Sequence, residues 1–121
     1  MSEAHEQAAL MEWARMQAGR YPILARLHHI PNGGSRHPAE AANLKRQGVR
    51  SGVPDLCLPF PVGGKHGLYI EMKWGKNRPT RPQREWLAYL ESAGYAVAVC
   101  YGWQEAADVI MRYLKGEEVR L

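Results

Sequence analysis

Between Gly67 and Lys73 the chain alternates. Leu68, Ile70 and Met72 are apolar, while Tyr69, Glu71 and Lys73 occupy the positions between them. Period two is the signature of a strand with one face in a core, and it sends Glu71 and Lys73 out from the same face. Other stretches take the helical period. Residues 3–18 carry Leu10, Met11, Trp13 and Ala14 on one face, and Gly19 with Pro22 ends that helix. Residues 23–30, ILARLHHI, predict a strand closed by the turn PNGG. HPAEAANLKRQG predicts a short helix, with Pro38 near its start and Gly48 just past its end.

The segment RSGVP leads into a short apolar strand at 54–58, and PFPVGGKHG forms a loose tip before the alternating strand. Thr80 and Gln83 have the spacing of a capping box, with Pro82 in the first turn. The helix they start presents Trp86, Leu87, Leu90 and Ala93, and Gly94 stops it. YAVAVCYG is the most strand-like run, and WQEAADVIMRYLKG closes the chain as an amphipathic helix. The order α-β-α-β-β-α-β-α predicts an α/β fold, a mixed sheet covered on both faces by helices. Neither repeat nor linker interrupts it, so residues 1–121 are expected to form a single domain.

Composition narrows this picture only a little. With 121 residues, 45% hydrophobic and 23% charged, the chain is an ordinary globular protein able to bury a core. Cys57 and Cys100 stand in apolar runs, as buried free thiols of a reducing compartment do, and no CxxC or Cys/His cluster suggests zinc. Without a signal peptide or a long apolar stretch, the expectation is a soluble, cytoplasmic protein with no membrane partner. The net charge of +4 is modest, but its placement is uneven. From Lys65 to Arg84 six cations face one acid, Glu71. A surface meeting a polyanion needs that concentration of positive charge.

Taken alone, Glu71 and Lys73 read as a solvated ion pair on a strand. Asp55 changes the reading. It is a single carboxylate in the apolar run VPDLCLP, where an unpaired charge is costly. If the strands holding Asp55 and Glu71 pair antiparallel around the 59–67 tip, the two carboxylates converge. Such a pair suits a hard divalent cation such as Mg²⁺, with the Met72 carbonyl as a further ligand. Lys73 could then orient a water or stabilise charge developing on a phosphoryl group. Adjacent His28 and His29 face opposite sides of a strand and are poorly placed to grip one ion together.

Pro54-Asp55 followed by Glu71-Met72-Lys73 matches the PD-(D/E)XK nuclease signature. With HHIPNGGSR, LKRQGVRSGVPDLCLPFP and GLYIEMKWGKNRPTRPQREWLAYLESAGYAVAVCYG around it, the chain resembles the VRR-Nuc family over residues 3–114. The resemblance implies a restriction-endonuclease-like fold and a Mg²⁺- or Mn²⁺-dependent, structure-selective DNA nuclease. In it Asp55 and Glu71 bind the metal and Lys73 is the catalytic lysine. It also implies an acid on the first helix, with Glu3 preferred from the spacing Glu3-x-x-x-Gln7 and Glu6 as the alternative. Gln83 matches a glutamine that follows the catalytic strand, besides being a capping residue. Small relatives of this type resemble homodimeric junction resolvases of bacterial or phage-infected cells, which makes branched DNA and a second copy of the chain the expected partners. Three basic runs flank the proposed site, and Arg36, Lys45, Arg46, Arg50, Ser51, Lys76, Arg78 and Arg81 are the expected DNA contacts. Trp74 is the one tryptophan placed to meet a base rather than the core. A DNA-binding module without catalysis, and a metal-free protein that merely presents a basic face, are the competing readings.

Overall fold

The alternating stretch is strand β3, Leu68–Lys73, and every other element is arranged around it. The structure, a computed structural model, describes residues 2–32 and 37–120. Its elements are α1 (Glu3–Gln17), a 3-10 turn (Pro22–Arg26), β1 (His28–His29), α2 (Pro38–Arg46), β2 (Leu56–Leu58), β3, α3 (Arg81–Ser92), β4 (Ala96–Tyr101) and α4 (Trp103–Leu114). Their order is the predicted one. The sheet runs β1-β2-β3-β4, with the first two pairings antiparallel and β3–β4 parallel across α3.

The predicted strand over 23–30 is largely replaced. Pro22–Arg26 is a 3-10 turn and only His28–His29 pair as a strand. Pro22 presets a helical φ at the first position, and Leu24 and Leu27, three apart, are both buried. Gly19 does not adopt the positive φ of a helix-ending glycine, whereas Gly48 and Gly94 do, at 105° and 97°.

The two faces of the sheet are covered differently. Leu56, Leu58, Leu68, Ile70, Met72, Ala96, Ala98 and Cys100 form the larger core with Leu10 and Ala14 of α1 and Ala106, Ala107, Ile110 and Tyr113 of α4. On the opposite face Leu87 and Leu90 of α3 pack on Val97, with Tyr69 and Val99 partly buried beside them. Helix α2 buries none of its residues, consistent with a surface helix. Both cysteines are buried free thiols. Among the described residues no helix is long and apolar enough to cross a membrane.

Strand lengths decide where the polar chemistry sits. β3 has six residues and β2 three, so β3 runs on beyond the first residue of β2. In that overhang Glu71 and Lys73 are 1% and 5% exposed, which rules out a solvated ion-pair ladder.

Candidate active site

The register Leu56↔Ile70 places Asp55 opposite Glu71 when extended by one residue. Asp55 Oδ2 accepts the Met72 main-chain N–H at 2.8 Å. A further step of the ladder would set Pro54 against Met72. Proline has no N–H to give the Met72 carbonyl, so the regular pairing stops there. Successive strand residues send their main-chain groups to alternate sides. The Met72 carbonyl therefore lies on the same edge as its N–H, beside Asp55. The proline before the aspartate thus ends the ladder, and the aspartate side chain takes over from it.

Asp55 is held from the other side as well. Its main-chain oxygen accepts the Ile30 N–H at 2.7 Å and lies 2.8 Å from Nδ1 of His29, and Asn32 Nδ2 reaches its Oδ1 at 3.4 Å. His28 and His29 are both exposed, with ring nitrogens against different main-chain oxygens, Arg26 and Asp55.

Glu71 occupies a demanding environment. One oxygen, Oε2, accepts Gln83 Nε2 at 3.0 Å and lies 3.7 Å from Lys73 Nζ. The other, Oε1, is buried with no hydrogen-bond partner. Burial, then the charge of nearby Asp55, push its carboxyl up to about 8; Lys73 opposes this and Glu3 adds to it. The buried Glu71 carboxyl, with a second carboxylate close by, is thus biased toward its protonated form.

Gln83 serves two purposes at once. Its Oε1 accepts the Thr80 N–H at 2.8 Å and the Thr80 hydroxyl accepts the Gln83 N–H, completing the predicted capping box, while its amide nitrogen fixes Glu71. The two acids of α1 also separate. Glu6 is buried, and its Oε1 accepts the Trp103 N–H at 2.9 Å at the start of α4. Glu3 lies at the site's mouth, where its Oε2 accepts Asn77 Nδ2 at 3.2 Å. Asn77 belongs to the turn after β3 and is itself held by the Tyr101 hydroxyl. Neither Asn32 nor Asn77 was identifiable as a site residue from sequence. Asn32 stands in the quoted PNGG run, but nothing about Asn77 distinguishes it from other loop residues.

The expected DNA contacts Lys45, Arg46, Arg50, Ser51, Lys76, Arg78 and Arg81 are all exposed, while Arg36 lies outside the described residues. Trp74 is 37% exposed. Among the described residues, no group of three or more His, Cys, Asp and Glu side chains forms a metal cage. What the site offers a cation is two carboxyls, one with an unpartnered buried oxygen, and a main-chain carbonyl. This donor set fits Mg²⁺ or Mn²⁺: Mg²⁺ in particular binds through one or two carboxylates and keeps several waters.

A four-stranded mixed sheet with an aspartate entering one strand and Glu-x-Lys on its antiparallel neighbour defines a restriction-endonuclease-like nuclease core. The chain belongs to the VRR-NUC family, whose domain model matches residues 1–104. A solved structure described as a VRR_NUC domain protein is 33% identical and superposes with a TM-score of 0.81, covering 99% of this chain and 93% of that one. No curated protein matches. Family membership implies a nuclease, and with it a DNA substrate.

Proposed function

We propose that this protein is a divalent-metal-dependent DNA endonuclease that hydrolyses phosphodiesters at the corner formed by Asp55, Glu71 and Lys73. The observation that carries the reading is that half-buried Asp55 lies beside buried Glu71, whose Oε1 is left without a partner. Asp55, Glu71 and the Met72 carbonyl would hold Mg²⁺ or Mn²⁺, which when bound neutralises phosphate charge and acidifies water.

The chain's own residues supply positioning. The Met72 N–H and Asn32 hold the Asp55 carboxylate, and Gln83 holds Glu71 in one rotamer. Lys73, beside Glu71, carries an ammonium able to donate to the attacking water or to a phosphoryl oxygen as negative charge grows there. Glu3 faces the same corner across Asn77 and is the helix-1 acid. The exposed cations of the 45–51 and 76–81 segments receive the strand on either side of the cut.

The preferred substrate in this reading is branched DNA, above all a four-way junction cut by a homodimer. A twofold dimer presents two sites related as the two strands of such a junction are. The test is a panel of labelled junction, flap, fork, duplex and single-stranded DNAs incubated with Mg²⁺, Mn²⁺ or EDTA, together with sedimentation. Paired metal-dependent nicks in the junction by a dimer are expected. A monomer that still cuts junctions removes the dimer, and no cleavage of any DNA with either metal removes the nuclease.

A further inference from the structure

Along α3 from the Gln83–Glu71 contact lies an open groove of about 490 Å³, lined by Ser51, Pro82, Glu85, Trp86 and Tyr89, that catalysis leaves unused. This lies within the roughly 300–1,000 Å³ typical of small-ligand sites. Trp86 and Tyr89 meet edge to face with ring centroids 6.1 Å apart; Trp86 packs against the smaller core, while Tyr89 is 61% exposed. We propose that this groove receives an unpaired nucleobase adjacent to the scissile phosphate, its face stacked on exposed Tyr89 and its edge turned to Trp86 and Glu85. The inference rests on the nuclease reading and deepens it: among junctions, one with an unpaired base beside the cut is preferred over a fully paired one.

Three observations favour a base as the occupant. The first is proximity. Gln83, which touches Glu71, directly follows Pro82 of the groove wall and precedes Trp86 by three residues, about 4.5 Å along the axis, so the acidic corner and the groove share the first turns of α3. The second is charge. Exposed Arg50 and Arg81 adjoin the two walls in sequence, ready for phosphates, whereas the groove itself contains Glu85. A carboxylate repels phosphate but accepts from the amino and imino groups of a base edge. The third is preorganisation. A Cβ at Gly52 would fall 2.7 Å from the Pro82 main chain, so the 51–52 segment sits directly against α3 and holds the groove open in one shape.

The test uses four-way junctions carrying a single unpaired 2-aminopurine next to the mapped cut, or an abasic residue in its place. With EDTA present, binding to the wild type should quench 2-aminopurine fluorescence, and Tyr89→Ala should lose most of that quenching. With metal present, Tyr89→Ala should lower kcat/KM on the base-bearing junction on the order of ten-fold, the scale of one base–aromatic stack. It should leave the abasic junction unaffected. Glu85→Gln should alter the preference among unpaired bases without changing abasic cleavage. Equal loss on both junctions, or no loss of quenching in Tyr89→Ala, overturns the base site. If the wild type cuts nothing, the nuclease reading fails, and the quenching titration, run with the unpaired 2-aminopurine at each position around the branch point in turn, still decides the groove.

Discussion

Gln83 hydrogen-bonds Glu71 at 3.0 Å through the same side chain that caps α3 at 2.8 Å, so one residue couples the start of a helix to the rotamer of a buried carboxyl. Gln83→Ala is expected to cost about 1–2 kcal/mol of stability from the lost cap and hydrogen bond. It should also slow cleavage about ten-fold or more as Glu71 loses its restraint. Gln83→Glu keeps an acceptor for the cap but sets a second acid against Glu71, so it should retain more stability than activity. Urea melts and single-turnover cleavage separate the two effects. Full activity in Gln83→Ala would show that the contact is structural alone.

Removing the reacting groups should act on chemistry and not on binding. Asp55→Ala and Lys73→Ala are each expected to reduce cleavage by roughly 10²–10³-fold or more, while DNA affinity falls only a few-fold because exposed cations supply it. Anisotropy binding beside cleavage rates checks this. A fully active Lys73→Ala protein would end the proposed mechanism.

The raised carboxyl of Glu71 sets a direction for stability against pH. Its folded value of about 8 lies above the ordinary 4.5, so below 4.5 both folded and unfolded chains hold the proton. Between 4.5 and 8 only the folded chain holds it, and this contribution to metal-free stability is lost progressively as pH rises through that window. Relative to Glu71→Gln, wild type without metal should therefore lose stability from pH 5 to 8 in chemical denaturation. Mg²⁺ binding should release a proton in the same window and tighten as pH rises, which calorimetry in buffers of different ionisation enthalpy measures. No proton release would contradict the raised carboxyl of Glu71.

The two acids of α1 should separate experimentally. Glu6→Ala removes the acceptor at the Trp103 N–H and leaves a gap beneath α4, costing about 1–3 kcal/mol with cleavage little changed at permissive temperature. Glu3→Ala should do the reverse, lowering cleavage with a small effect on the melting temperature. Swapped outcomes would assign the helix-1 role to Glu6.

Much of this architecture was visible in residue order. Alternation gave β3, and the Thr80–Gln83 spacing gave the cap that the structure contains. The motif text pointed to the VRR-NUC family that the comparisons bear out. The segment 23–30 was less legible: its apolar residues allowed a strand, yet Pro22 and the three-residue spacing of Leu24 and Leu27 favour a turn once a core exists to bury them. Gln83 shows a different limit, since a cap is local and readable while its contact to Glu71 spans two elements.

Local rules act over a few residues, so residue order was enough to place most helices and strands, their apolar faces and the residue types able to do chemistry, the Pro22–Arg26 turn excepted. Taken alone, Glu71 and Lys73 read at that level as an exposed ion pair, and with Asp55 and the motif as part of an active site. Only the tertiary structure made them buried, because β3 outruns β2 and α3 closes over the overhang. It also set Asp55 against Glu71, left Oε1 without a partner, and turned Glu6 to α4 while Glu3 kept the mouth of the site. Burial and proximity between distant segments depend on how elements pack, and a carboxyl's protonation follows from them, not from its neighbours in the chain.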